Sequence, residues 1–316
     1  MITNWSISEH NWVFKKPDTD VQHINQHTWT TITEDRIRLF QETYEKELKT
    51  YDGFIVTHTP VFAMLFEKYG KPIIIVNSCR YDQPFCTTRD MHMLDLFHRC
   101  LHRLQTEKRL YMISNNLADK RYLLSNAGIE SLHIPSLCLY VNASYEPKKP
   151  QFVIYSGNRS HIFPPHPLLV QKPAPGYTWK ELYEYRGLIH TPYDMSTMSI
   201  FEQYWAGVPL FFPTRRFYKE LVAEDKMEFI SIYDLGEEYF SEKDMDVWLD
   251  SSDWLRLPGL YYYDSFNDLL QKIETFEDVH FEQRKEYIDT MKVTIIDQWR
   301  RLLSPIMKLN YFEEYT

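Results

Sequence analysis

The chain has 316 residues, enough for one large domain or two ordinary ones, each able to bury its own core. Hydrophobic residues make up 44% and aromatic residues 16%, which excludes an intrinsically disordered chain. A formal charge of −9, from 35 basic and 44 acidic residues, argues against general nucleic-acid binding, which needs an extended basic face.

The chain opens MITNWSISEHNW, with neither a basic start nor an apolar stretch, so no signal peptide is expected. No run approaches the ~18 apolar residues that span a bilayer. Cys79, Cys86, Cys100 and Cys138 form no CxxC pair, and reduced structural thiols in a cytoplasmic, soluble protein are the expected setting.

Strand and helix signals then alternate. Thr33 can cap a helix with Glu34 and Asp35 in its first turn, and Ile37, Phe40, Tyr44 and Leu48 share one stripe. Gly53 to Thr57 reads as a strand. Thr59-Pro60 starts a helix that Gly70 closes, and Ile73 to Val76 is a fully apolar strand of the parallel kind. A helix over about 89–107, a strand over Leu110 to Ser114 and a helix over Leu117 to Asn126 follow, the last ending at Gly128. Parallel strands joined by helices imply a doubly wound sheet.

Around YVNASYEPKKP (140–150) the composition turns polar, which places a domain boundary near residue 145. A second series begins at Gln151, with strands over Phe152 to Tyr155, Leu168 to Gln171, Gly187 to His190, Leu210 to Phe212 and Phe229 to Ile232. From about Ser265 the chain reads as helical, with Tyr287 to Leu303 long, amphipathic and free of Gly and Pro.

The most informative stretch is GLIHTPYDMSTMSIFEQYWAGVPLFFP, from Gly187 to Pro213. It reads as a strand, a polar turn, a helix holding Glu202, then Ala206-Gly207-Val208-Pro209 and a buried strand. A helix beginning near Ser196 or Ser199, capped by their hydroxyls, would turn unpaired N–H groups toward that turn, and such an end attracts phosphate. Asp194 and Glu202 are eight residues apart, roughly two helical turns, so both could face one ligand.

This segment resembles the donor-binding signature of GT-B glycosyltransferases, in which an acidic residue, seven others and a Glu precede small residues, Gly-x-Pro and a strand. The close match covers about 25 residues. The family usually has Glu where this chain has Asp194. The resemblance implies an α/β GT-B fold: two Rossmann-like doubly wound domains facing a cleft, over 1–145 and 146–280, and a helical tail over 281–316 crossing back onto the first. It implies a metal-independent transfer of a sugar from a nucleotide-sugar donor to a glycan or other hydroxyl acceptor. No bound cofactor is called for, the nucleotide-sugar being a substrate.

Candidate site residues follow from the rule that open parallel sheets bind ligands beyond the carboxyl ends of their strands. Ser156-Gly157-Asn158-Arg159 suits a phosphate clamp, since glycine admits close approach and arginine bonds two phosphate oxygens. Lys172 adds a second charge, although the resemblance implies an Arg–Lys pair about six residues apart and here the separation is 13. His190, Tyr193, Asp194, Met195, Ser196, Ser199 and Glu202 complete the expected donor site, with Glu202 on the ribose and the Ser196 to Ser199 turn on the diphosphate. For an inverting reaction His58 is the first candidate base, titrating near neutrality after an apolar strand, Asp82 the second and Glu9-His10 the third. A retaining reaction needs no protein base. His58 reads equally as part of a helix start.

Asp244-Met245-Asp246 resembles a metal-binding DxD triplet but reads better as the acidic first turn of a helix capped by Ser241. His98 and His102 have the i,i+4 spacing of a chelating pair without an evident third ligand. A nucleotide-sugar epimerase and a non-catalytic sugar- or nucleotide-binding module remain the rival readings.

Overall fold

The computed structural model describes residues 21–25, 28–57, 59–78, 80–155, 157–173, 176–192, 194–227 and 245–307. His58, Tyr193, Ser156, Glu9, His10, Ser241, Asp244 and the expected strand over Phe229 to Ile232 lie outside them. The chain divides into two compact units. Of the described residues, 21–135 and 298–307 belong to the first and 136–227 and 245–297 to the second.

The first unit carries a parallel sheet of β1 (Phe54–Thr57), β2 (Ile73–Asn77), β3 (Leu110–Ser114) and β4 (Leu132–His133), in that spatial order. Ile73, Ile75 and Ile113 are fully buried, as the unbroken apolar run at β2 requires of a strand covered on both faces. Helix α1 (Glu34–Thr43) is capped by Thr33, whose hydroxyl accepts from Arg36 N. The expected Thr59-Pro60 helix is three short pieces, 3₁₀ over Pro60–Phe62, α over Ala63–Phe66 and 3₁₀ over Glu67–Tyr69, without a capping bond from Thr59. Gly70 ends it at φ 67°.

Helix α2 (Met91–Thr106) starts from Asp90, whose carboxylate accepts from Met93 N, and helix α3 (Leu117–Ala127) from Asn116, whose side chain accepts from Asp119 N. The interior of this unit is polar at the carboxyl ends of β2 and β3. Asp82 is fully buried there, with Tyr122 OH donating to its Oδ2 at 2.6 Å. Asp119, also buried, accepts from Asn116 Nδ2 at 2.6 Å.

The second unit carries β5 (Lys149–Tyr155), β6 (Leu169–Gln171), β7 (Tyr185–His190), β8 (Leu210–Pro213) and β9 (Tyr261–Tyr263). All are parallel, in the order β6-β5-β7-β8-β9. Counted from the first strand of the unit, the order is 2-1-3-4-5, so the winding reverses between β5 and β7. Helix α4 (Met198–Trp205) joins β7 to β8, and α5 (Arg215–Ala223) follows β8 from a Thr214 cap. Helices α6 (Phe266–Glu274) and α7 (Phe281–Met307) complete the described chain. Gly207, at φ 86°, makes the reversal from α4 into β8 that a side chain would strain.

The mixed α/β architecture with two all-parallel sheets agrees with the sequence expectation at that level. β4 and β9 were not expected. Aromatic rings run continuously along the second sheet: buried Phe152 meets buried Phe211 edge-on at 5.4 Å, and Phe211 stacks on half-buried Tyr261 at 4.9 Å.

Candidate functional site

The winding reverses between β5 and β7, and doubly wound sheets take ligands beyond the carboxyl ends of the strands at such a reversal. β5 ends at Tyr155 and β7 at His190, and their rings lie 5.2 Å apart. Beside them, just past β6, Lys172 places its ammonium 4.3 Å from the Tyr155 ring centre and 5.2 Å from that of Tyr177. Lys172 is exposed, so its charge faces solvent over an aromatic floor.

His190 is only 4% exposed and stacks on Phe212 at 4.8 Å. Its Nε2 donates to Gln203 Oε1 at 2.7 Å, which ties the end of β7 to helix α4. Burial pulls the imidazole down to about 4, against the Gln203 bond, and the nearby Lys172 charge acts in the same direction as burial. The ring is therefore neutral in the folded chain at pH 7. Since the unfolded chain binds a proton below about 6.5, stability from this group is complete above that pH and is lost as pH falls toward 4. The gap corresponds to about 3 kcal/mol. Thermal melts of wild type and His190→Gln between pH 7.5 and 4.5 check this: the variant should lose much less stability on acidification.

Glu202 sits inside α4 with its carboxyl half-buried. Tyr140 OH donates to its Oε1 at 2.7 Å, and the Trp179 side chain hydrogen-bonds it as well. The Tyr140 and Trp179 rings are 5.6 Å apart. Burial raises the carboxyl above the usual range, while the two hydrogen bonds and the Lys172 charge oppose it. Tyr183, fully buried, lies close enough to feel the Glu202 charge, and its hydroxyl has no protein partner.

Trp179 is placed by a capping box. Thr178 accepts from Glu181 N, and the Glu181 carboxylate accepts from Thr178 N at 2.7 Å. The Thr-x-x-Glu spacing was readable in the sequence and was missed, as were Tyr140 and Tyr183.

The turn before α4 differs from expectation. Its N-cap is Thr197, not Ser196 or Ser199, and the Thr197 hydroxyl bonds Ser199 Oγ at 3.0 Å instead of capping the helix. The Thr197 side chain makes no capping bond to this end. Asp194 lies in a bend ahead of the helix, where its Oδ1 accepts from Met195 N at 2.6 Å, so its separation from Glu202 is not two helical turns. Met195 is buried, and its carbonyl accepts from Asp253 N. Ser196 and Ser199 are half-buried.

Of the other expected residues, Gly157 and Arg159 fall in a 3₁₀ segment, Gly157–Ile162, whose backbone alone is described at these two positions. Asp82 belongs to the first unit, where burial raises its carboxyl and Tyr122 and Arg80 oppose the rise. The structure thus brings together Lys172, His190, Glu202 and the turn from Asp194 to Ser199 within one unit.

Among the described residues, no group of three or more His, Cys, Asp or Glu is arranged to hold a metal. His98 Nε2 hydrogen-bonds Tyr81 OH at 2.9 Å, and His92 meets Glu34 at 2.9 Å. Asp246 pairs with Lys219 and Arg215 in the first turn of a short helix. No helix among the described residues is long and apolar enough to cross a membrane.

No family model matches the chain, and no curated protein matches it. Among solved structures, the crystal structure of the glycotransferase of kitacinnamycin is similar with a TM-score of 0.40 and 10% sequence identity. That alignment covers 92% of this chain and 86% of that one.

Proposed function

We propose that the chain is a glycosyltransferase that takes a sugar from a nucleotide-sugar donor and passes it to a glycan or other hydroxyl acceptor. One observation supports this reading: a half-buried carboxyl held by Tyr140 and Trp179 lies within electrostatic reach of an exposed ammonium, and that ammonium sits over Tyr155 at the end of β5, beside the winding reversal. A carboxylate flanked by rings suits a nucleoside, with the carboxylate accepting from the ribose hydroxyls and a ring face against the base.

The helix end beyond Thr197, which its own N-cap side chain does not cap, suits the diphosphate, because helix N-termini carry partial positive charge. Lys172 then balances the charge that develops on the diphosphate as the glycosidic bond breaks, and Arg159 is the proposed second cation. Both charges come from side chains, so the proposed transfer needs no metal. Gly157, His190, Tyr193, Asp194 and Met195 frame the pocket in this account. His58 and Asp82 remain the candidate acceptor bases, Asp82 only if a movement uncovers its carboxyl.

Lys172→Met is expected to weaken binding of a nucleoside diphosphate about fivefold, the ~1 kcal/mol of an exposed charge pair, with no effect on the parent nucleoside. Calorimetric titration of both ligands separates the two. The function itself is tested by incubating the protein with a panel of nucleotide-sugars and measuring release of nucleoside diphosphate, with and without glycan acceptors and with EDTA. Release stimulated by an acceptor and insensitive to EDTA supports the reading. Conversion of the donor to an isomer without acceptor favours an epimerase, and binding without turnover favours a non-catalytic module.

A further inference from the structure

Helix α4 has only eight residues, too few to hold its own shape or direction without tertiary contacts. Its N-cap residue, Thr197, makes no side-chain capping bond. Side-chain contacts along the helix and the anchoring of its C-terminal end then set the direction of Glu202, and at that end the Gln203, Tyr204 and Ala206 carbonyls each have a partner. Val208 N donates to Gln203 O at 3.2 Å, Gly207 N to Tyr204 O at 2.9 Å and Tyr145 N to Ala206 O at 3.1 Å. The next carbonyl, Gly207 O, accepts from Arg284 Nη2 at 3.2 Å.

Arg284 is 1% exposed, rare for a guanidinium. It stands in the first turn of α7 and grips Asp278 with both arms, Nη1 to Oδ1 at 3.0 Å and Nη2 to Oδ2 at 2.5 Å. Nη1 also donates to Gly259 O at 3.3 Å. A Cβ at Gly259 would lie 2.9 Å from Arg284 Cγ, so that residue leaves room for the side chain. Tyr261 OH holds Asp278 Oδ1 from the other side at 2.7 Å. One buried cation thus joins the segment before β9, the start of α7 and the end of α4.

We propose that Arg284 is a positioning residue for the nucleotide site: it fixes the end of α4 and so aims Glu202, without touching the ligand. The proposal rests on the reading of Glu202 as a ribose ligand.

The test uses the full chain as wild type, Arg284→Met and Arg284→Lys. A double variant, Arg284→Met with Asp278→Asn, leaves no lone buried charge and serves if the single variant does not fold. Two readouts are taken well below the melting temperature. Amide exchange over 198–208 is measured without ligand, and calorimetry is run with UDP, GDP, ADP and CDP. The expected result is at least tenfold faster exchange confined to 198–208 and at least tenfold weaker binding of whichever diphosphate the wild type takes. Lysine should restore part of both, since it keeps the charge but not the two-armed geometry.

Exchange unchanged over 198–208, or rising equally across the whole second unit, would overturn the proposal, as would local loosening with unchanged affinity. A wild type that binds none of the four diphosphates would refute the donor reading and with it any role of Arg284 in binding. The exchange data would then still decide whether Arg284 anchors the helix.

Discussion

Glu202→Gln is expected to weaken binding of the donor's nucleotide about a hundredfold while leaving the chain folded. The carboxylate can accept from two ribose hydroxyls, and hydrogen bonds to a charged group are worth about 1.5–3 kcal/mol each. Glutamine keeps one acceptor, so about 3 kcal/mol should be lost, equivalent to the stated factor. The Tyr140 bond to Oε1 at 2.7 Å survives the change, because the amide oxygen can still accept it. Burial raises the Glu202 carboxyl in the free protein, so removing its charge should not lower the melting temperature. Glu202→Ala should lose binding as fully but also some stability, since the Tyr140 hydroxyl and the Trp179 side chain lose their partner. Calorimetric titration with the nucleoside diphosphate, set beside thermal melts, separates binding from folding. Wild-type affinity in Glu202→Gln would remove this residue from the site.

Asp119→Asn should stabilise the protein at pH 8 and lose that advantage near pH 4. Burial pushes the Asp119 carboxyl up to about 7, with the Asp82 charge adding to the rise and the Asn116 bond and Arg80 opposing it. In the unfolded chain the group ionises near 4. Between those values the folded state holds a proton that the unfolded state has released. Stability is therefore fully present below about 4, falls as pH rises, and levels off above 7. The full cost is on the order of a few kcal/mol. Asparagine never pays it and can still accept from Asn116 Nδ2. Melting curves of both proteins from pH 4 to 8 check the sign: a difference independent of pH would mean that Asp119 is not the group responsible.

The parallel α/β character was legible because apolar runs such as Ile73 to Val76 are bounded by cap and turn residues. Thr33, Asn116 and Gly128 act at helix ends where their chemistry places them. β4 was not legible, since two residues cannot display a period. β9, a run of three tyrosines, reads as an aromatic patch until Phe211 is seen stacked on Tyr261.

The strand-end positions of Lys172 and His190 were readable from local sequence, and the structure sets them at the ends of β6 and β7. Local sequence could not tell that His190 is turned inward, which depends on Gln203 across the β7–α4 connection. The neighbours of Glu202 were hidden for a different reason: Tyr140 is 62 residues away and shares no motif with it. Arg284, later still in the chain, meets Gly207 only because α7 returns to the end of α4. Contacts of that range are set by the packing of the sheet and its helices, not by local pattern.

The central claim, a nucleotide site built on Glu202, is tested most directly by thermal melting of the wild-type protein with a panel of nucleoside diphosphates and nucleotide-sugars, with and without EDTA. A ligand that binds only the folded chain raises its melting temperature with occupancy. The account predicts a selective, EDTA-insensitive rise with one nucleobase, which Glu202→Gln abolishes. No rise with any nucleotide, or an equal rise in wild type and Glu202→Gln, would contradict it.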